Sequence, residues 1–230
     1  MSVSITTFTA ADSTPVTSFD GLYKANLDSG NFRVSANKAY FTDGTYDVIV
    51  LPGVATTDGE HTDATLDIKS LVGQVGIAVR LNSAGNTGYL LVYRASDTKW
   101  RLLRMVSAGF TEIAALTASP SLASHTLSLK ATGTGSSVAL EATLDGSALL
   151  SFSDTDASRI TTLGRCGIYG DTIVTTTTGI HIDTLSLEDG AGVAAPVLSS
   201  PTASATGTSG QVQIGVTSDT TGTAYSLRRT

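Results

Sequence analysis

The sequence predicts an all-β protein built from antiparallel hairpins. Three observations carry that expectation. Thr supplies 36 of the 230 residues and Gly another 23; the first suits half-buried strands and the second tight turns. Short runs of alternating apolar and polar residues recur along the chain, separated by turn residues. No apolar pattern of helical period persists for ten residues; the nearest approach, around EIAALTAS, is short and stops at Pro120.

Other classes are excluded on composition. Charged residues are 15% of the chain and only four of the 20 acids are Glu, so neither a heptad coiled coil nor a highly charged disordered chain fits. One Cys cannot build a disulfide scaffold. A net charge of -6 argues against a nucleic-acid footprint, which needs a clustered basic surface. No run of 18 apolar residues indicates a membrane span. The opening MSVSITTFTAADSTPV lacks a basic segment followed by an apolar one, so a secretory signal is not expected.

Residues 1–30 read as polar and irregular, an anchoring segment. NFRVSANKAYF has the β-branched and aromatic content of one or two strands. YDVIVLPGV is an apolar run closed by Pro52-Gly53. Residues 55–67, rich in Thr, Asp and Gly, read as a loop before TLDIKSLV. VGQVGIAVRL then alternates into the turn NSAGNTG. YLLVYRA and KWRLLRMV flank Ser96-Asp97-Thr98 as a hairpin, and FTEIAALT follows. In HTLSLKATG, His125, Leu127, Leu129 and Ala131 share one face; in SSVALEATLDG, Val138, Leu140, Ala142 and Leu144 do. Asp145-Gly146 is a two-residue hairpin turn leading into SALLSFSD. GRCGIYG and IVTTTTGIHIDTLSLED supply the last strands of a domain over residues 31–189. Residues 190–209, punctuated by Pro196 and Pro201, read as a linker. Residues 210–230 read as the first strands of a further module that continues past Thr230.

Residues 19–189 resemble the concanavalin-A-like, laminin-G-like jelly-roll superfamily. The likeness lies in VGIAVRLN with GYLLVYR, in KWRLLRMVSAGFTEIAAL, in HTLSLKATG followed by SSVALEATLDG, in the late strand GRCGIYG, and in the closing strand IHIDTLSLED. The tail from Ser199 resembles the Ig-like modules of bacteriophage structural proteins. The resemblance implies an antiparallel two-sheet sandwich with a short Ig-like β segment after it. It also implies a binding or structural role, although fold alone does not determine function.

Glycoside hydrolysis needs two carboxylates about 5–10 Å apart. Glu60, Glu112, Glu141 and Glu188 are far apart in sequence and none lies in a Glu-x-Asp-x-Glu run. No Gly-x-Ser-x-Gly elbow and no Gly-x-Gly-x-x-Gly turn opening a helix is present. No catalytic residue is expected, and the protein reads as a non-enzyme. His61, His125 and His181 show no metal-ligand spacing, and His125 reads as a hydrogen-bonded core residue. Cys166 reads as a buried, inert thiol. Arg94, Arg101 and Arg104 read as the solvated face of a hairpin. No cofactor is expected to be required; the alternative for the acids is a Ca²⁺ site, for which the resemblance implies Asp183 in the closing strand, with Asp154 and Asp156 as further candidates. Trp100, with Tyr89 and Tyr93 on the neighbouring strand, is the expected ligand-binding aromatic set.

The expected function is that of a bacteriophage virion protein, in a tail or baseplate fibre or as a head decoration. It would be made in the host cytoplasm and would assemble as a homotrimer with other virion proteins. The alternative is a secreted or surface lectin-like domain that binds a glycan, such as one on a host surface, with Ca²⁺.

Overall fold

The computed structural model describes residues 2–16, 23–25, 32–42, 46–50 and 54–188, and the strands at 202–205, 212–217 and 224–227. The chain divides into two compact units, Met1–Ala191 and Gly192–Thr230.

The first unit is a two-sheet antiparallel jelly-roll sandwich. Its strands are β1 (Ser2–Thr7), β2 (Tyr23–Ala25), β3 (Phe32–Ser35), β4 (Lys38–Phe41), β5 (Asp47–Val50), β6 (His61–Ile68), β7 (Gln74–Leu81), β8 (Gly88–Arg94), β9 (Lys99–Val106), β10 (Gly109–Thr117), β11 (Ser124–Thr132), β12 (Val138–Leu144), β13 (Ser147–Asp154), β14 (Arg165–Asp171) and β15 (Ile180–Glu188). One sheet runs β13-β12-β11-β6-β15-β4-β3, with β1 also paired to β15. The other runs β10-β9-β8-β7-β14-β5-β2. Among the described residues no helix is long and apolar enough to cross a membrane.

The two sheets differ in how their strands are buried. In the eight-stranded sheet the alternation is clean: β6 and β11 bury every second residue and turn the others outward. In the seven-stranded sheet β7 and β8 are buried almost continuously, the sign of a sheet covered on both faces. Ile77, Tyr89, Leu91, Tyr93, Trp100, Leu102 and Ile168 fill the core between the sheets. Val48, Val50, Ala78, Leu90, Val92, Leu103, Met105 and Tyr169 form a second apolar cluster. All of these come from the seven-stranded sheet, so the second cluster lies on its outer face.

A buried ionic network ties the loops at one end of the sandwich to β7 and β8. Arg80 sits at an irregularity in the β7–β14 pairing with φ of 56°. This left-handed region costs a non-Gly residue about 1–3 kcal/mol. The fully buried guanidinium meets acceptors from three loops. Nε lies 3.2 Å from Glu60 Oε1, and Nη2 donates to Asp58 Oδ1 at 3.0 Å. Nη1 donates to the carbonyls of Gly133 and Ile160, each at 2.8 Å. Glu60 Oε2 accepts from the Gly164 N–H at 3.1 Å. Asp58 accepts from the N–H of Gly133, whose φ of 100° suits glycine. Through Ile160 the network continues, because its N–H donates to Tyr89 Oη, which donates to Asp154. Asp154 also holds the guanidinium of Arg104 at 2.8 Å.

Several sequence expectations change. The loop expected over 55–67 contains the first seven residues of β6. Thr62, Ala64 and Leu66 turn inward there while His61, Asp63, Thr65 and Asp67 face out; turn-forming Asp and Thr on the outer positions mask the period of two. The N-terminal segment is not separate from the sandwich, since β1 pairs with β15 from Ser2↔Glu188 to Thr7↔Thr184. The second unit is a three-stranded antiparallel sheet of β16 (Thr202–Ala205), β17 (Val212–Thr217) and β18 (Ala224–Leu227). Its first strand falls inside the stretch that reads as a linker.

Removing one partner of a buried ion pair leaves the other charge uncompensated, a loss of about 3–5 kcal/mol. Arg80→Met is therefore expected to lower the urea midpoint by a stability loss of that size. The double variant Arg80→Met/Glu60→Leu is expected to recover part of the loss, because it strands no fully buried carboxylate.

Candidate functional site

Strand parity decides which aromatics meet solvent. The β8–β9 register pairs Tyr93 with Trp100 and Tyr89 with Arg104. These residues turn toward the core: Trp100 is 1% exposed, and Tyr89 and Tyr93 are fully buried. Tyr93 and Trp100 pack with ring centroids 5.1 Å apart. The expected ligand-binding set is thus brought together, but inside the sandwich, where it serves packing and offers no surface to a ligand. The intervening residues, Val92, Arg94, Arg101 and Leu103, face outward.

On that outer face three other rings gather. Tyr46 meets Phe110 edge-on at 5.1 Å and stacks near Tyr169 at 6.2 Å; Phe110 meets Tyr169 edge-on at 5.9 Å. Quadrupole attraction favours such edge-on pairs. Beside them is a depression of about 280 Å³ lined by Gln74, Arg94, Arg101, Leu103, Phe110, Glu112 and Tyr169. The pairing sets Tyr169, Gly76, Val92 and Arg101 in one row across β14, β7, β8 and β9. Gly76 and Val92 within that row are buried, while Tyr169 and Arg101 at its ends line the depression. A Cβ at Gly76 would stand 2.2 Å from the Leu91 carbonyl oxygen, so no larger residue fits.

The polar groups around the depression are pre-oriented. Gln74 Nε2 donates to Tyr169 Oη at 3.0 Å. Arg94 holds Asp97 with two hydrogen bonds, from Nε at 3.1 Å and Nη2 at 2.6 Å. Arg101 bridges Asp97 and Glu112, and its buried Nε has no hydrogen-bond partner among the described residues. The Arg94 and Arg101 guanidiniums hold the Asp97 carboxyl well below the usual carboxylate range. Burial pushes the Tyr169 phenol up, helped by the charge of Asp171, so it remains a neutral hydroxyl at physiological pH. The site therefore combines an exposed ring face, Phe110 at 37%, with fixed guanidinium, amide, carboxylate and phenol groups. Such a set can stack on an apolar ring face and hydrogen-bond to the hydroxyls around it.

The three Arg side chains read as one solvated face separate by parity: Arg94 and Arg101 line the depression, while Arg104 turns inward onto Asp154. Of the acids expected at a Ca²⁺ site, Asp154 is buried and taken up by Arg104 and Tyr89. Asp156 is exposed, beside Arg104 at 3.3 Å. Asp183 is half-buried on β15. The three do not converge among the described residues. Side chains that do come together are His61, Asp63 and Glu188, whose ligand atoms all lie within 4.8 Å of one another. His125 is a hydrogen-bonded core histidine, 2.7 Å from Asp145 and 3.0 Å from Ser121 Oγ. Cys166 is buried, and burial pushes its thiol up.

No protein-family model matches the sequence, and no curated protein matches it. Solved structures do match the fold. The carbohydrate-binding module CBM66 from Bacillus subtilis has 15% identity and a TM-score of 0.53 over 74% of this chain and 92% of its own. The carbohydrate recognition domain of Emp46p, in its metal-free form, has 12% identity and a TM-score of 0.51 over 78% of this chain and 96% of its own. An endo-1,3-beta-glucanase from Streptomyces sioyaensis has 13% identity and a TM-score of 0.53 over 81% of this chain and 95% of its own. At these identities the likeness establishes the jelly-roll fold. Within this fold stand both sugar-binding modules and a glucanase; none of the three is a virion protein.

A carboxyl whose folded pKa is depressed stabilises above its unfolded value and loses that contribution as pH falls through the folded one. Asp97 is therefore expected to stay ionised below its ordinary value of 3.8. Carbon-13 NMR of its side-chain carboxyl should show a midpoint clearly under that value, moving back toward it in Arg94→Ala.

Proposed function

We propose that the first unit is a non-enzymatic, lectin-like carbohydrate-binding domain that takes a sugar in the depression on the outer face of the seven-stranded sheet. The observation that carries this reading is the cluster of Tyr46, Phe110 and Tyr169 beside Arg94, Arg101, Glu112 and Gln74. A pyranose presents an apolar C–H face and a rim of hydroxyls. Phe110 supplies a ring for the first, and the fork of Arg101 with Gln74 and Glu112 supplies donors and acceptors for the second. The sugar-binding modules that share the fold support the same reading.

A binding role fits better than hydrolysis. Glu112 and Asp97, the carboxylates at the depression among the described residues, are both engaged by the same guanidinium of Arg101 and so stand on one side of it. Hydrolysis needs a second carboxylate across the sugar. The virion role that the composition suggests gains no support from the structural neighbours, which favour the sugar-binding alternative.

A glycan array screened with the full chain, followed by calorimetry on the best oligosaccharide, tests the proposal. Phe110→Ala and Arg101→Lys are each expected to weaken binding by about tenfold or more, equivalent to about 1.4 kcal/mol. Glu141→Gln, on the outer face of the other sheet, should leave it unchanged. No binding at millimolar oligosaccharide, or binding indifferent to both site variants, would refute the reading.

A further inference from the structure

The outer face of the eight-stranded sheet carries a second group of chemistry-bearing side chains, on the opposite side of the sandwich from the aromatic depression. The β6–β15 register sets Glu188 opposite His61 and Ser186 opposite Asp63. His61 and Asp63, two residues apart on β6, therefore share the outward face, and Glu188 reaches them from the neighbouring strand. His61 Nε2 lies 3.2 Å from Asp63 Oδ2 and 3.3 Å from Glu188 Oε2. All three ligand atoms are within 4.8 Å of one another, and the side chains are half-buried.

We propose that His61, Asp63 and Glu188 form a binding site for a divalent transition metal of the zinc type. One imidazole nitrogen and two carboxylate oxygens are the mixed donor set such ions take, with the fourth position left to water. Ligands about 2.0–2.1 Å from a tetrahedral Zn²⁺ stand about 3.3–3.4 Å apart along each edge. The two separations measured from His61 Nε2 are already of that size. The third needs rotation of the partly exposed Asp63 and Glu188 carboxylates, Asp63 giving up its hydrogen bond to Ser128. Rigid adjacent strands hold the three Cα positions, so little order is lost on binding.

The local field agrees. The carboxylates of Asp63 and Glu188 both lie against the imidazole, while Lys130 faces His61 from β11. Two carboxylates thus outweigh one ammonium, and a cation is favoured there. A hard ion such as Ca²⁺ or Mg²⁺ takes six or more oxygens. Two carboxylates with water could serve such an ion, but it gains little from a nitrogen donor, so the imidazole of His61 is what selects the softer ion.

Calorimetry of the full chain with ZnCl₂ should show one ion bound per chain, with CaCl₂ and MgCl₂ giving no comparable heat. His61→Ala, Asp63→Asn and Glu188→Gln should each weaken Zn²⁺ binding by at least about tenfold, while circular dichroism stays that of the parent chain. Nitrogen-15 NMR of the imidazoles provides a readout that does not depend on variants. Adding Zn²⁺ should move the His61 Nε2 signal and leave His125 and His181 in place. Absence of saturable binding at millimolar Zn²⁺ would overturn the proposal, as would a Zn²⁺-induced shift at His125 or His181 with His61 unmoved. Sugar binding by the opposite sheet does not enter any of these measurements, so the two sites stand or fall separately.

Discussion

One buried guanidinium organises the end of the sandwich. Arg80 is the residue at which β7 departs from regular pairing, and its left-handed backbone turns a strongly hydrated group into the interior. Such a group is tolerated there only if its donors are matched. Asp58, Gly133 and Ile160 accept from its two Nη groups and Glu60 faces Nε as an ion pair, all drawn from three separate stretches of chain. The loops around residues 58–60, 133 and 160–164 are therefore placed by one side chain. Through Ile160, Tyr89 and Asp154 the same network reaches Arg104 on β9. Strands β7, β8 and β9, which carry much of the aromatic depression, are thus tied together from the inside.

The two sheets divide the remaining work by their outer faces. The eight-stranded sheet alternates, so its outer face is polar; that places His61, Asp63 and Glu188 side by side among hydroxyls and charges. The seven-stranded sheet has apolar residues on both sides, and its outer face gathers a second cluster around Leu90, Val92, Leu103 and Tyr169. These apolar side chains are themselves buried, and what this face offers a ligand is the partly exposed Phe110 ring with the ordered charges beside it. The polar sheet face and the apolar one are thus suited to different ligands, an ion on one and a sugar ring on the other.

Much of the fold was legible from residues 74 to 154, where alternation and turn signals are clear. HTLSLKATG, VALEATL and Asp145-Gly146 fall where their pattern indicates. The start of β6 was not legible, because Thr, Asp and His on its outer positions resemble a polar loop. The aromatic site was hidden for a different reason. Trp100, Tyr89 and Tyr93 are the conspicuous rings of the hairpin, but they share the parity of Leu91 and Leu102 and so belong to the core. The continuous apolar runs of β7 and β8 were the available signal that both faces of this sheet are occupied. Arg101 and Arg104, three apart on one strand, take opposite faces by the period of two, but Arg94 could be assigned to the Arg101 face only once the 93–100 pairing was known.

By itself the sequence determined the all-β class, the hairpin from Gly88 to Val106, the inward set on β11 and β12, and the absence of a paired-carboxylate motif. These depend on local period and turn chemistry, which neighbours in the chain suffice to express. Tertiary structure alone decided which face of the hairpin met solvent. It also decided that Tyr46, Phe110 and Tyr169, spread over more than 120 positions, form one cluster, and that Glu188 lies beside His61. Those juxtapositions come from cross-strand register and sheet order, which are set by pairing between distant segments and leave no mark in any single stretch of residues.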